Sequence, residues 1–199
     1  MCDACTIIWE ADEKQKEEIH WREFKFFLKG GWFLNHCGGS NAHLGYLILT
    51  ASQIDKNRPH AFDFDSLREE QTNMLGKYLN WIQHQLKEYS MKPDYWIEND
   101  RIEQIYFAYL NESPYKKFYQ NQHKMMKDDV KEDLHVHIHI LPRTQSMGEI
   151  CNGGFLGWDL LKITKRSNYT YFDVEKKKHL MRFLKEQAKN ANIYTANPD

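Results

Sequence analysis

No stretch of this chain approaches the ~18 successive apolar residues of a membrane-crossing helix, so a helical membrane protein is not expected. An excess of charge is missing too: 27 Lys and Arg stand against 28 Asp and Glu, a net charge of −1. That balance gives no bulk attraction to nucleic acid or to an acidic membrane, and neither is an expected partner. Cysteine is scarce, with four residues, Cys2, Cys5, Cys37 and Cys151. The opening "MCDACTIIWEADEKQKEE" turns acidic before any apolar stretch reaches the length of a secretory core. The expected address is the cytoplasm, with the cysteines as reduced thiols or metal ligands and not as a disulfide framework. Internal repeats and low-complexity tracts are also lacking. What is present suits one domain: hydrophobic residues make up 41% and aromatics 14% of 199 residues. Disordered chains lack such aromatics, so the mean hydropathy of −0.76 reflects abundant charge, not disorder.

The order of elements follows from periodicity and punctuation. "HWREFKFFL" (20–28) reads as a strand, and the Gly-punctuated stretch 30–45 should contain a turn or loop. "YLILTA" (46–51) is an apolar run of strand length. Ser66 and Glu69 form a capping-box pattern ahead of a helix with Leu67, Met74, Leu75, Tyr78, Leu79, Ile82 and Leu86 on one face. "KPD" (92–94) ends it, and "QIYFAYLNE" (104–112) is a strand. The polar segment 113–133 reads as an insertion before another strand, "LHVHIHIL". A helix over 173–191, capped by Asp173, lies near the C-terminus. This order predicts an α+β domain with an antiparallel sheet packed against a long helix. Residues 1–143 would form that domain, and residues 144–199 a C-terminal helical extension packed on it.

Within "LHVHIHILPR" (134–143), His135, His137 and His139 occupy every second position. Alternate strand residues share a face. The three imidazoles therefore project together, about 7 Å apart per step, while Leu134, Val136, Ile138 and Ile140 bury on the other side. Three uses fit such a row. It can be a polar strand face that happens to employ histidine. It can ligate a metal, since imidazole binds zinc, iron and copper. A cupin-type set fails here, because Pro142 and Arg143 occupy the place of its glutamate. It can also be catalytic, because neutral imidazole is nucleophilic near pH 7.

"His135-Val-His137-Ile-His139-Ile-Leu141" resembles the signature of the histidine triad superfamily, His-φ-His-φ-His-φ-φ with φ apolar, and the next pair, "Pro142-Arg143", is similar to the residues after the triad in many members. "GYLILTA" resembles the family's Gly-His-aliphatic strand, and "YLNE" the Asn-bearing strand ahead of the triad. The resemblance implies a nucleotide hydrolase or transferase acting at an α-phosphate through a nucleotidyl-histidine intermediate. His137 would be the nucleophile. His135 and His139 would orient it, stabilise phosphate charge and manage the leaving-group proton. Asn111, Tyr46 and Arg143 would stand on the substrate side, Arg143 serving either phosphate or structure. The family also implies a homodimer, a nucleotide or nucleotide conjugate as substrate, and no required cofactor. Rival readings are a nucleotide-binding or interaction protein that keeps the triad without efficient turnover, and a metal-binding protein.

The chain departs from the family pattern in two places. Many members have a fourth histidine where Tyr46 stands, and tyrosine does not titrate near pH 7. His43 is the nearest substitute, and otherwise a loop histidine. Where members carry Gly-Gln-Ser or Gly-Gln-Thr to hold phosphate, this chain has Val130-Lys131-Glu132. Some bacterial members bind structural zinc through a Cys-x-x-Cys, a mid-chain histidine and the first triad histidine. The resemblance offers Cys2, Cys5, His60 and His135 for that tetrahedral set. The glycines of "HCGGSN" (36–41) suit either a phosphate-binding loop or a plain turn.

Overall fold

The computed structural model describes residues 23–36, 43–51, 61, 64–109, 136–150 and 173–196. The insertion at 113–133 and the candidate residues Cys2, Cys5, Cys37, His60, Asn111, His135 and Cys151 lie outside them. So does most of the glycine-rich segment 36–41, of which His36 alone is described.

Among the described residues, six strands form one sheet. They are β1 (Lys25–Leu28), β2 (Trp32–His36), β3 (Leu47–Ala51), β4 (Ile102–Tyr109), β5 (His137–Thr144) and β6 (Tyr194–Thr195). Their spatial order is β4-β5-β3-β2-β1-β6, and each neighbouring pair is antiparallel. Three α-helices accompany them among the described residues: α1 (Glu69–Ser90), α2 (Gln145–Ile150) and α3 (Val174–Asn190). The chain is thus a mixed α+β protein with an antiparallel sheet. No helix among the described residues is long and apolar enough to cross a membrane.

Two cores of unequal size sit on the two sides of the sheet. The larger joins Leu28, Trp32, Leu34, Leu47, Leu49 and Ile140 of the strands to Tyr78, Ile82, Leu86 and Tyr89 of α1 and Leu180, Met181 and Leu184 of α3. Each buried aliphatic or aromatic side chain contributes roughly 1.5–3 kcal/mol, so this helical side carries most of the hydrophobic stabilisation. The smaller core is Tyr46, Leu141 and Met147, with Ile48, Tyr106 and Ala108 packed on it. The side away from α1 and α3 carries this smaller core, to which Met147 of α2 contributes.

The structure revises the expected elements in three ways. The stretch 30–45 holds the expected turn and also a whole strand, β2, that the expected order lacked, so three strands precede the long helix. Its register comes from neighbours on both sides, β1 and β3, and not from a long local pattern. The β1–β2 hairpin turns at Gly30 and Gly31, whose φ angles of +69° and +71° suit glycine. A Cβ on Gly31 would collide with the Arg68 guanidinium.

The second revision concerns the start of the long helix. The Ser66–Glu69 box does not form: Ser66 ends a short 3-10 turn, and α1 starts at Glu69. Gln71 takes over instead. Its Oε1 accepts from the Arg68 backbone N–H at 3.1 Å, and its Nε2 donates to the Gly31 carbonyl at 2.9 Å. A contact to the β1–β2 turn thus fixes the helix cap at Arg68, two residues later than the local signal.

The third revision lies beyond the triad strand. α3 is capped as expected, with Asp173 Oδ1 accepting from the Lys176 N–H at 3.0 Å. Such a cap stabilises by about 1 kcal/mol. The chain then adds β6 to the sheet beside β1 and returns a hydrogen bond from Lys29 N–H to the Ile193 carbonyl, 2.9 Å. The short α2, absent from the expected order, is held by Asp100, whose carboxylate accepts from the Ser146 N–H and hydroxyl, both at 2.8 Å.

Candidate functional site

β5 lies inside the sheet, bonded to β3 on one side and β4 on the other. Register then decides what surrounds each histidine. His137 stands opposite Thr50, and His139 lies between Ile48 and Ala108. By alternation His137, His139, Leu141 and Arg143 share the face turned from the main core. The two described imidazoles are mostly buried, 9% and 7% exposed. Their ring centroids are 4.9 Å apart with planes inclined at 70°. That is closer than the ~7 Å step of the strand, so the rings lean toward each other. An adjacent pair of imidazoles can serve as nucleophile and hydrogen-bond donor for one phosphoryl group.

Tyr46 enters this site by way of a constrained turn. Gly45 has φ +84°, and a Cβ there would come within 2.9 Å of the Trp96 ring. Its N–H donates to His36 Nε2 at 3.2 Å, and the Tyr46 N–H to the His43 carbonyl at 3.0 Å. This delivers the Tyr46 hydroxyl to 2.7 Å from Nδ1 of His139. The phenol ring is 2% exposed and packs with Leu141 and Met147. The position expected on the substrate side thus addresses a triad imidazole.

Arg143 keeps the same face but not the same place. Four residues beyond His139, its Cα lies about 13 Å along the strand at ~3.3 Å per residue. Leu141 stands between them. Its Nη2 is 3.9 Å from Glu103 Oε2, with side chains 23% and 49% exposed. A pair so long and wet contributes little. Arg143 Nε is buried without a hydrogen-bond partner among the described residues.

His43 does not stand in for a fourth site histidine. It is 1% exposed, and its Nδ1 is 2.7 Å from the Leu44 carbonyl, to which an N–H there donates. Burial holds its pKa down at about 4; the Leu44 hydrogen bond and Asp100 pull it up, and Lys177 presses it down. It is therefore a neutral core imidazole at pH 7.

Tyr46, His137, His139 and Arg143 are the site residues the structure brings to one face; His135, Asn111, Cys2, Cys5 and His60 lie outside the described residues. Among the described residues no cluster of three or more His, Cys, Asp or Glu is placed to hold a metal. Val136, next to His135 in sequence, donates its N–H to the carbonyl of Ala61, next to His60, at 2.7 Å. Sequence reasoning did not single out Thr50 and Ala108, the cross-strand neighbours of His137 and His139. The only signal for Thr50 was the period of two in "YLILTA"; the register of β4 gave none.

Comparison of the chain with protein-family models, curated proteins and solved structures returned no match.

The buried His43 has a consequence for stability. Its pKa falls from 6.5 in the unfolded chain to about 4 in the fold. Above pH 6.5 both states hold it neutral. Below that value the unfolded chain binds a proton that the native state refuses. Stability from this group is thus lost at about 1.4 kcal/mol per pH unit until the native imidazole protonates. Urea denaturation at pH 7 and pH 4.5 should show this loss, and His43→Gln should show a smaller one. Equal losses in both proteins would refute the assignment.

Proposed function

We propose that this chain is a nucleotide hydrolase or transferase of the histidine-triad type, acting at an α-phosphate through a nucleotidyl adduct on His137. The observation that carries the reading is the His137–His139 pair on one strand, leaning together and tied to Tyr46. A long helix packed on an antiparallel sheet with the triad strand inside it supports a histidine-triad-like domain.

In this mechanism a neutral nitrogen of His137 attacks the α-phosphorus. A phosphorus–nitrogen bond forms as the bond to the leaving group breaks, and the leaving group departs with a proton from the site. Water, or an acceptor hydroxyl in the transferase case, then attacks the adduct and returns His137 as a neutral imidazole. The site's contribution is alignment and fixed donors for the equatorial oxygens. His139 and His135 would supply donors, and Asn111 would stand on the substrate side; Arg143, set apart beyond Leu141, would reach only a distal part of a substrate.

His137→Ala should lower turnover of the best nucleotide found in a substrate screen by on the order of 10³-fold or more. Its circular dichroism should match wild type, because the imidazole lies outside the main core. A wild type that binds nucleotide but forms no trapped adduct and turns nothing over would instead be a binding protein.

The same reading carries a structural zinc on Cys2, Cys5, His60 and His135, supported by the Ala61–Val136 hydrogen bond that joins the neighbours of the two histidines. Zinc held there would cross-link three segments of the chain. Metal analysis of purified protein should find about one zinc per chain, as a single four-ligand site requires. A Cys2→Ser, Cys5→Ser double variant should lose it; zinc retained there would remove the site.

A homodimer belongs to this reading too. β4, eight residues long, stands at one margin of the described sheet, where a strand edge can template pairing. Sedimentation at micromolar concentration should give twice the chain mass, and a monomer alone would overturn it.

A further inference from the structure

The contact between Tyr46 and His139 assigns more than proximity. The hydroxyl lies 2.7 Å from Nδ1, and the two residues are 2% and 7% exposed. The described neighbours in the sheet and the small core are apolar: Ile48 and Ala108 flank His139 across the sheet, and Leu141 and Met147 pack on Tyr46. Among the described residues, the titratable groups shown against His139 are Tyr46 and the ring of His137. A phenol is a good donor and a poor acceptor, and a neutral imidazole nitrogen is a good acceptor. Away from water that difference is amplified. These preferences favour a bond that runs from the phenol to the ring, its direction being set by the tautomer of His139.

We propose that Tyr46 donates to Nδ1 of His139 and so fixes this imidazole as the neutral tautomer with its proton on Nε2, a standing hydrogen-bond donor for an anionic oxygen at the site. Tyr46 is then a positioning residue that acts through His139. That the oxygen belongs to a phosphate rests on the nucleotide reading; the tautomer does not. A proton held on Nε2 in the ground state makes His139 a donor and not a general base at that atom. The donor needs no reorganisation when charge develops nearby, which is how fixed donors stabilise a transition state. A hydroxyl in this place also disfavours the imidazolium, because it bonds to the lone pair that protonation would consume.

Tyr46→Phe tests the assignment, since it removes one oxygen and leaves the buried ring. The probe is a long-range proton–nitrogen correlation spectrum of full-length protein labelled at histidine nitrogen, with His139 assigned by its loss in His139→Gln. Wild type should show Nε2 protonated and Nδ1 as an acceptor. Tyr46→Phe should show a mixture of tautomers and a His139 pKa higher by up to about one unit, the reach of one net hydrogen bond. With a nucleotide substrate, kcat should fall about 10- to 100-fold with KM within about twofold, a transition-state donor being worth that much or more. A wild-type spectrum with the proton on Nδ1 would overturn the proposal, as would a Tyr46→Phe spectrum unchanged from wild type. If wild type turns over no nucleotide yet shows the Nε2–H signature and loses it in Tyr46→Phe, the tautomer assignment is supported and the nucleotide reading fails.

Discussion

The position of β5 between β3 and β4 is the constraint on which the rest of the structure depends. A strand hydrogen-bonded on both edges cannot slip by one residue without turning every side chain to the opposite face. Here a slip would drive His137 and His139 into the main core and expel Ile140 from it. Burying unpaired imidazoles costs free energy, and expelling the aliphatic residue forfeits hydrophobic stabilisation. The apolar half of the alternation thus places the imidazole half. The core that α1 and α3 cover anchors a strand whose other side presents His137 and His139.

A second dependence runs through Gly45. Its positive φ, its closeness to Trp96 and its N–H bond to His36 bring the chain into β3 at one angle. The outcome is felt at His139, because Tyr46 is the next residue and its hydroxyl reaches the imidazole. On the other side, the end of β5 is fastened by Asp100 to Ser146 of α2. Trp96 ties these regions together, donating through Nε1 to the Asp100 carbonyl at 2.7 Å and giving its own carbonyl to Lys176 Nζ of α3 at 2.7 Å. The C-terminal segment is therefore built into the support of the candidate site.

The local signals that could be read correctly share one property: they are complete within a few residues. Asp173 caps α3 because the cap needs only the next turn. The break after α1 is legible because Pro93 cannot continue a helix. The faces of the triad strand follow from a period of two. β2 was not legible, because a five-residue strand beside glycine-rich turns gains its register from β1 and β3. Ser66 misled because Gln71, bound to Gly31 of the β1–β2 turn, outweighed a local capping pattern.

For the candidate site, the sequence by itself determined which residues could act and that His137 and His139 share a strand face. Covalent spacing and the side-chain period of a strand require no more than the local chain. Tertiary structure alone decided the company those imidazoles keep. It placed Thr50 and Ala108 across from them, put the Tyr46 hydroxyl on Nδ1 of His139, set Arg143 apart beyond Leu141 and withdrew His43 into the core. Those outcomes depend on pairings between residues as much as 93 positions apart, as for Tyr46 and His139. Sheet register and burial fix such pairings, and neither is a property of any one stretch of sequence.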